Sequence, residues 1–343
     1  MNMKFWKKQI NDACFQDPLD LRDKKYEDVA LGAAPVDWNK GYDIEKELNF
    51  TLPIKNQGQS LSCTGQGGSY YFGILNLVEL KEYIEVSAKS LYSQIFLPNG
   101  GAYIRDIFKL CVDWGAVYES LVSSYKNGKL PTEDFMRELS WKNEEIDKIA
   151  KVLQAKEYRV IEARDNMDLF AMAIRDNYGV VGGVHVGNNG SWRTNEPTPS
   201  DRINGHCIYY GKFGIDEKGK YIATPNSWGE RKKDELHLDG WQKLRQDYFN
   251  KLYQFNPWVM VDKPNITEAT NDPEVQNILV KNEKKFIIEG AGVGRKGVLV
   301  NGKLLELTKE REPSASIYVQ TNNGSGLTIS TELYNKLPKG GLF

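Results

Sequence analysis

Apolar residues recur at helical spacing through the first half of the chain. Residues 64–155 are predicted to be mainly helical, because apolar positions there fall three or four residues apart. Directly after Cys63 this spacing is carried by Tyr71, Ile74, Leu75 and Val78. Asp134–Lys156 is predicted to form a charged helix pair or one long helix. Its apolar side consists of Phe135, Leu139, Ile146, Ile149 and Leu153.

The pattern changes to strands from Tyr158 onward. Short apolar runs bounded by turn residues predict a series of strands in this half. These are Tyr158–Glu162, Val180–Val186, Cys207–Gly211, Tyr221–Pro225, Glu235–Leu238 and Trp258–Val261. A block of helices followed by a block of strands is typical of an α+β fold.

Shifts in composition divide the chain into four parts. Residues 1–34 are polar and mixed, and they form an N-terminal arm that either blocks a site or wraps the fold as a belt, the belt being favoured. Residues 35–263 form the main domain. Residues 264–280 are a linker. Residues 281–343 form a small β-rich C-terminal module of unknown role, with a hairpin predicted at Asn301-Gly302.

The composition sets limits on the class of protein. The net charge is −1 and hydrophobic residues make up 40% of the chain, which gives no general attraction to nucleic acid or to an anionic membrane. No apolar run approaches the roughly 20 residues that a transmembrane helix needs, and no signal-peptide core forms near the start. We therefore expect synthesis in a reducing cytoplasm. Self-association or assembly into a phage-like particle through the C-terminal module stays open.

One cysteine stands in a reactive context. Cys63 lies at the start of a predicted helix, with the amide side chain of Gln57 six residues upstream. A helix N-terminus favours a thiolate and is expected to lower the pKa of the Cys63 thiol. A nearby amide can donate a hydrogen bond to an oxyanion that forms when this thiolate attacks a carbonyl. The alternative is a buried structural thiol, which is the usual state of a free cysteine.

A base and a group to orient it follow downstream. The chain has only three histidines. His206 follows the small residues Asn204 and Gly205 and directly precedes an apolar run that is predicted to be a strand. Asn226 follows in Asn226-Ser-Trp228-Gly, and its amide can accept from an imidazole N–H without adding charge. Residues 187–204, a long polar loop before His206, can cover or shape the site.

Four motifs occur in the order found in the papain-like (C1) cysteine peptidases. They are Lys55-Asn-Gln57-Gly, Ser62-Cys63-Thr64, Gly205-His206 and Asn226-Ser-Trp228-Gly. Over roughly residues 35 to 263 the chain resembles this family, and most of all its bacterial or phage-type members, because Thr64 rather than tryptophan follows the cysteine. The resemblance implies a two-lobed fold, in which a helical lobe carries Cys63 and a β-rich lobe carries His206.

The resemblance also implies a role for each motif residue. Cys63 would be the nucleophile, and His206 the general base and then the acid. Asn226 would orient His206, and Gln57 would donate to the oxyanion. Trp228 would shield the bond between Asn226 and His206 from water, and it is also expected among the substrate-binding residues. Proteases of this family are often made with an inhibitory propeptide. Residues 1–34 are too short for its usual helical kind, so a short pro-segment is one of the alternatives for this arm.

Further residues are expected to line a substrate cleft. Asn99, Gly100 and Gly101 resemble the glycine-rich segment along which substrate binds in this family; the alternative is that both glycines cap a helix. Leu61 occupies a position that is usually glycine, and its side chain can narrow the pocket for the residue before the scissile bond. Ser60 replaces a disulfide-forming cysteine, which excludes that bridge.

The remaining histidines and cysteines are interpreted as structural. His185 and His237 are assigned to strands, and Cys14, Cys111 and Cys207 are not clustered by motif. We therefore expect neither a metal site nor a cofactor. The glycine pattern of residues 292–297 is interpreted as a turn rather than a dinucleotide site, because no helix follows it.

Three functions are consistent with these residues. The first is a cysteine endopeptidase that hydrolyses peptide bonds of a peptide or protein substrate through a thioester on Cys63. The second is a thiol acyltransferase or transpeptidase, in which an amine replaces water. The third is a catalytically silent scaffold that binds peptides; the intact set of catalytic residues argues against it, and Leu61 argues for it.

Overall fold

The described part of the chain falls into two compact units. The computed structural model describes residues 13–80, 83–126, 128–187, 189–229 and 240–262, and short strands beyond residue 286. One unit comprises residues 1–124 and 131–271, and the other comprises residues 125–130 and 272–343.

Helices dominate the first half of the larger unit. They are α1 (Glu27–Ala30), α2 (Ile44–Glu47), α3 (Cys63–Leu80), α4 (Ala88–Tyr92), α5 (Ile104–Asp113), α6 (Glu133–Arg137), α7 (Glu144–Ala150) and α8 (Met167–Asn177). Side-chain caps begin several of them: Asn143 accepts from Ile146 N, and Asn166 accepts from Leu169 N. Of the helices in the described part of the chain, none combines the length and the apolar character that a membrane crossing requires.

Helix α3 forms the centre of this unit. Every residue from Cys63 to Leu77 is buried. The glycines early in α3 are poor helix formers, but they allow close packing. A Cβ on Gly67 would lie 3.0 Å from the sulfur of Cys207, and a Cβ on Gly68 would lie 2.6 Å from Ile107. Packing against neighbouring elements therefore outweighs the low helix propensity of these glycines.

Strands follow in two antiparallel sheets and one short parallel pair. They are β1 (Cys14–Phe15), β2 (Tyr42–Asp43), β3 (Ala102–Tyr103), β4 (Glu157–Val160), β5 (Val180–Gly187), β6 (Arg202–Tyr210), β7 (Lys212–Asp216), β8 (Gly219–Thr224), β9 (Gln242–Arg245) and β10 (Gln254–Asp262). One sheet has the order β4-β10-β5-β6, and the other has the order β2-β7-β8-β9. Strand β1 pairs with β3 in parallel.

The core of the β-rich half packs α8 against these sheets. Phe170 of α8 meets Tyr210 of β6 and Phe249 edge-on, with ring centroids 5.5 and 5.2 Å apart. Ile174 and Val184 belong to the same buried cluster. Helix α3 packs on the neighbouring strand face, against β6. The N-terminus of α3 and the middle of β6 are thereby brought together.

Beyond residue 286, the residues that the structure describes in the smaller unit form strands. Strands β11 (Ile287–Gly290), β14 (Ser316–Gln320) and β15 (Gly326–Ser330) form an antiparallel sheet in that order. Strands β12 (Gly297–Val300) and β13 (Lys303–Glu306) pair antiparallel across residues 301–302. This pairing agrees with the hairpin predicted at Asn301-Gly302.

Several sequence-based predictions need correction. The segment Asp134–Lys156 contains a pair of short helices, which was one of the two predicted alternatives. The place of Leu139 on its apolar side is wrong, because this residue lies between the helices with 47% of its surface exposed. Helix α8 was not predicted, nor were β7 and β9. The strand predicted at Cys207–Gly211 begins earlier, at Arg202. The strand at Glu235–Leu238 and the linker 264–280 lie outside the described residues.

Candidate active site

Cys63 is the first residue of α3, and its side chain is fully buried. The carbonyl of Ser62 accepts a helical hydrogen bond from Gln66 N at 3.0 Å. The sulfur of Cys63 accepts from the backbone N–H of Cys207 at 3.4 Å. The thiol therefore lies where the N-terminus of α3 meets β6, beside the residue that follows His206.

His206 is held by one hydrogen bond and two aromatic rings. Its Nε2 lies 2.9 Å from Oδ1 of Asn226. Trp228 stacks on the imidazole with ring centroids 4.7 Å apart, and Trp192 meets it edge-on at 6.3 Å. Only 4% of His206 is exposed. The bond between His206 and Asn226 is therefore shielded from water, as the resemblance implied for Trp228.

A chain of amide hydrogen bonds sets the orientation of Asn226. Nε2 of Gln242 donates to the carbonyls of Trp192 and Thr194, at 2.9 and 2.8 Å. Because both acceptors are backbone carbonyls, Oε1 of Gln242 faces Asn226 and accepts from its Nδ2 at 2.7 Å. Oδ1 of Asn226 then faces His206, so Nε2 of the neutral imidazole carries the hydrogen. Nδ1 is left to accept a proton.

The turn that carries Asn226 also holds Gln57. Asn226 has a left-handed backbone with φ 56°, which asparagine tolerates better than most residues. The Ser227 hydroxyl donates to Oε1 of Gln57 at 2.6 Å. Nε2 of Gln57 donates to the Ser60 carbonyl at 3.0 Å. Because an amide nitrogen carries two hydrogens, one remains for an oxyanion beside the N-terminus of α3.

Burial sets the protonation of the two central groups. It raises the pKa of the Cys63 thiol well above its ordinary value, although the backbone N–H groups of Cys207 and Thr64 act in the opposite direction. Burial also lowers the pKa of His206 to about 4, against a smaller raising effect of Asn226. At neutral pH both groups are therefore uncharged in this conformation. The expectation of a lowered Cys63 pKa is wrong here, because lost solvation outweighs the helix N-terminus.

The glycine-rich segment forms a tight turn between α4 and β3. Gly100 N donates to the Leu97 carbonyl, and Leu97 N donates to the Gly101 carbonyl, both at 2.8 Å. Gly100 and Gly101 have φ of 91° and 69°, a left-handed conformation that favours glycine. Asn99 is exposed at the tip of this turn. The helix-cap alternative is wrong, because α4 already ends at Tyr92.

Residues of the N-terminal arm cross between this turn and β6. Ala13 N donates to the Gly205 carbonyl, and the Ala13 carbonyl accepts from Ala102 N, both at 3.3 Å. Strand β1 runs parallel to β3, with Cys14 opposite Ala102. A Cβ on Gly205 would lie 1.9 Å from the Cys14 carbonyl oxygen, so glycine is needed for this approach. The arm thus occupies backbone groups on both sides, directly before His206 on one side and directly after Gly101 on the other.

The next residues of the arm wrap the fold. One carboxylate oxygen of Asp17 accepts from Trp258 Nε1 at 2.8 Å, and the other accepts from Arg105 N at 3.2 Å. Burial raises the pKa of Asp17 to about 6. Tyr26 is buried, and its N–H donates to the Val160 carbonyl at 2.8 Å. The arm therefore crosses the site with Ala13–Phe15 and forms a belt with the residues that follow.

The other histidines and cysteines have structural environments where they are described. His185 lies in β5, as predicted, with its ring centroid 4.9 Å from that of Phe255. His237 lies outside the described residues. All four cysteines are free and buried. Within the described ranges, no group of three or more His, Cys, Asp or Glu side chains is arranged to hold a metal ion.

Sequence reasoning missed four residues of this site. Ser227 directly follows Asn226 within a quoted motif, so its contact with Gln57 had a local signal. Trp192 is an aromatic residue within the polar loop 187–204, which was expected to shape the site. Gln242 and Ala13 belong to no motif, and their contacts are visible only in the folded chain.

The chain was compared with known proteins, and similarity was found to solved structures. No family model matches the chain, and no curated protein sequence does. Xylellain, a cysteine protease from Xylella fastidiosa, aligns with a TM-score of 0.57 at 19% identity, over 75% of this chain and 97% of its own. Procathepsin B S9 from Trypanosoma congolense aligns with a TM-score of 0.56 at 10% identity, over 75% of this chain and 87% of its own. The chain has the papain-like fold.

The papain-like fold confirms the predicted α+β class. Helices α3 to α7 make up the helical half, which carries Cys63, and the antiparallel sheets make up the β-rich half, which carries His206. At 19% and 10% identity, these likenesses establish the fold alone. Kinship with bacterial or phage-type members stays a prediction, as do the roles of the site residues.

Proposed function

We propose that this chain is a cysteine peptidase that hydrolyses peptide bonds of a peptide or protein substrate. The observation that carries the proposal is the position of Cys63 at a helix N-terminus, where its sulfur accepts from the backbone N–H of Cys207. Cys207 directly follows His206, whose Nε2 is engaged by Asn226. The papain-like fold supports it, because cysteine proteases share this architecture. The amide of Gln57, held by Ser227 and the Ser60 carbonyl, adds a donor for the oxyanion.

Acylation begins when Nδ1 of His206 takes the proton of the Cys63 thiol. The thiolate sulfur attacks the carbonyl carbon, and the resulting oxyanion accepts from Gln57 Nε2 and from the backbone N–H of Cys63. Collapse of this intermediate breaks the carbon–nitrogen bond. The imidazolium of His206 protonates the leaving amine, and a thioester remains on Cys63.

Deacylation uses the same groups in reverse order. His206 takes a proton from a water molecule, and the hydroxide oxygen attacks the thioester carbonyl. The oxyanion forms at the same donors, the carbon–sulfur bond breaks, and Cys63 leaves as a thiolate that recovers its proton from His206. The product is a carboxylic acid. Gln242 acts through Asn226 by holding Nε2–H of His206 in place throughout.

We propose further that residues 1–34 act as a short pro-segment. Ala13 bonds to backbone groups on both sides of the site, and this supports the view that a substrate cannot enter while the arm is bound. Cys63 and His206 are neutral because they are buried, and we propose that the bound arm contributes to this burial. When the arm leaves, water returns to the site, and the N-terminus of α3 and His206 can stabilise the thiolate.

Covalent labelling tests the nucleophile. After prolonged incubation of the full chain with a peptidyl epoxide, intact-mass spectrometry is expected to show one adduct, located on Cys63 by peptide mapping. The Cys63→Ala variant is expected to take up none, although its other three thiols remain. An adduct on a different cysteine, or equal labelling of the variant, would contradict the proposal. Product masses with and without an added amine then separate hydrolysis from acyl transfer.

Replacing Gln242 tests the chain of amides. Gln242→Met removes the acceptor of Asn226 Nδ2, so we expect turnover to fall roughly tenfold, the effect of about 1.4 kcal/mol. Nitrogen NMR of the neutral imidazole should show a single Nε2–H tautomer of His206 in the parent protein and a mixture in the variant. Gln254→Met is a matched control, because Gln254 is equally buried but bonds Tyr210 instead. An unchanged tautomer in Gln242→Met would refute the role of Gln242.

A further inference from the structure

Leu61 closes the gap between the loop before Cys63 and the glycine-rich turn. Its Cδ1 lies 2.3 Å from the position that a Cβ on Gly100 would occupy, so the leucine methyl group contacts Gly100 directly. Leu61 is only partly buried, and it lies outside the buried core. The apolar side chain of Leu61 therefore joins the two segments without being part of the buried core.

One carboxylate holds both sides of this gap. Oε2 of Glu133 accepts from Leu61 N at 2.6 Å. Its Oε1 accepts from the Tyr92 hydroxyl, also at 2.6 Å, and that hydroxyl accepts from Gly101 N at 2.8 Å. Arg137 pairs with the same carboxylate at 2.7 Å. Because Glu133 is bonded to the loop and, through Tyr92, to the turn, the gap cannot widen without breaking these hydrogen bonds.

The bound arm indicates where a peptide backbone runs. Ala13 lies between Ala102 and Gly205, and the arm residues at this point, Ala13 and Cys14, have small side chains. Consider a peptide whose carbonyl carbon contacts the Cys63 sulfur and whose chain continues between Ala102 and Gly205. Leu61 lies two residues before Cys63, and Gly100 lies two residues before Ala102. We therefore expect the residue that bears this carbonyl to lie beside the Leu61–Gly100 contact. A side chain on that residue would have to displace the leucine.

We propose that Leu61 restricts the residue before the scissile bond to glycine. The inference rests on the proposed function, and it names the substrate class: chains cleaved after a glycine. Forcing a larger side chain into a filled site displaces neighbouring atoms and is unfavourable. Because Glu133 holds both sides of the gap, relaxation is limited. We therefore expect discrimination of about a hundredfold between glycine and leucine or arginine at this position.

Labelling by peptidyl chloromethyl ketones tests this restriction without requiring turnover. Three probes that differ only in their last residue, glycine, leucine or arginine, are incubated with the full chain, and adduct formation on Cys63 is followed by intact mass. The bound arm slows all three probes by the same factor, so the ratios of their rates report on the gap. We expect the glycine probe to react about a hundredfold faster than the other two.

Leu61→Gly is expected to abolish this preference. In this variant the leucine and arginine probes should label Cys63 almost a hundredfold faster than they label the parent protein. The labelling rate of the glycine probe should change by less than about threefold. Leu139→Gly is the matched control, because it removes a half-exposed leucine between α6 and α7 and should keep the preference. Melting temperatures of both variants establish that they are folded.

The outcomes distinguish the restriction by Leu61 from the proposed peptidase activity. Equal rates for the three probes in the parent protein, with labelling on Cys63, would overturn the restriction by Leu61 and leave the proposed peptidase intact. A preference that persists in Leu61→Gly would show that another residue sets it. Failure of every probe to label Cys63 in the parent protein and in Leu61→Gly would overturn the proposed function, and the inference with it.

Discussion

Peptide hydrolysis is expected to fall about a millionfold when Cys63 is replaced by alanine, the scale on which loss of a nucleophile acts in triad enzymes. The substitution removes one sulfur atom from a fully buried site, so the fold should persist. His206→Ala should cause a loss of similar size, because the thiol then has no base. The measurement is release of a fluorophore from a peptide substrate, with circular dichroism and melting temperature to establish folding.

The chain offers a matched control for this experiment. Cys111 lies in α5, is as deeply buried as Cys63, and has a pKa that burial likewise raises. Cys111→Ala removes the same atom at a position without a role in the proposed chemistry, and it should retain full turnover. The assignment fails if folded Cys63→Ala remains active.

Releasing the arm is expected to raise the rate of Cys63 labelling about a hundredfold. Two backbone hydrogen bonds of Ala13, at about 1 kcal/mol each, and the burial of Cys14 and Phe15 together hold the arm by about 3 kcal/mol. A chain that begins at Asp17 removes the whole crossing segment and should show the full hundredfold. Ala13→Pro removes only the N–H that bonds the Gly205 carbonyl, about 1 kcal/mol, and should give roughly a fivefold increase. Labelling by a peptidyl epoxide, followed by intact mass, measures both.

The pH dependence of labelling should change in the same experiment. In the full chain burial raises the pKa of Cys63, so the thiolate fraction and the labelling rate increase as the pH rises above neutral. After release of the arm, returning solvent lowers this pKa, and labelling should persist at lower pH. Leu19→Pro is the control, because Leu19 is an exposed arm residue outside the site. Equal rates and equal pH profiles in all these proteins would exclude a blocking arm.

The elements that the sequence predicted are those with strong local signals. Helix α3 follows from apolar spacing at Tyr71, Ile74 and Leu75, and strand β5 follows from a continuous apolar run. Helix α8 carries apolar residues at helical spacing as well, but it lies between strands in the half of the chain where a strand assignment competes. The prediction that Leu139 lies on an apolar helix face was wrong because the helix is interrupted between α6 and α7. The helical spacing does not continue across this break.

The site divides along the same line. Cys63, His206 and Asn226 were predicted as site residues because each lies in a short motif, and the structure brings His206 and Asn226 together. Gln242 bonds to Asn226 and to the carbonyl of Trp192, which lie elsewhere in the chain. No motif around Gln242 predicts these contacts. The pKa of Cys63 was predicted with the wrong sign because burial depends on the folded surroundings of the thiol, which include Cys207 from a distant part of the chain.

The double contact of Ala13 has a kinetic consequence. An arm attached to the same molecule is a competitor at fixed local concentration, whatever the amount of enzyme. If about one molecule in a hundred has its arm released, the apparent KM rises about a hundredfold while kcat at saturation is unchanged. Substrates that are present at low concentration or that bind weakly would then escape cleavage. A substrate that is concentrated near the enzyme, above the apparent KM, would be cleaved at the full kcat.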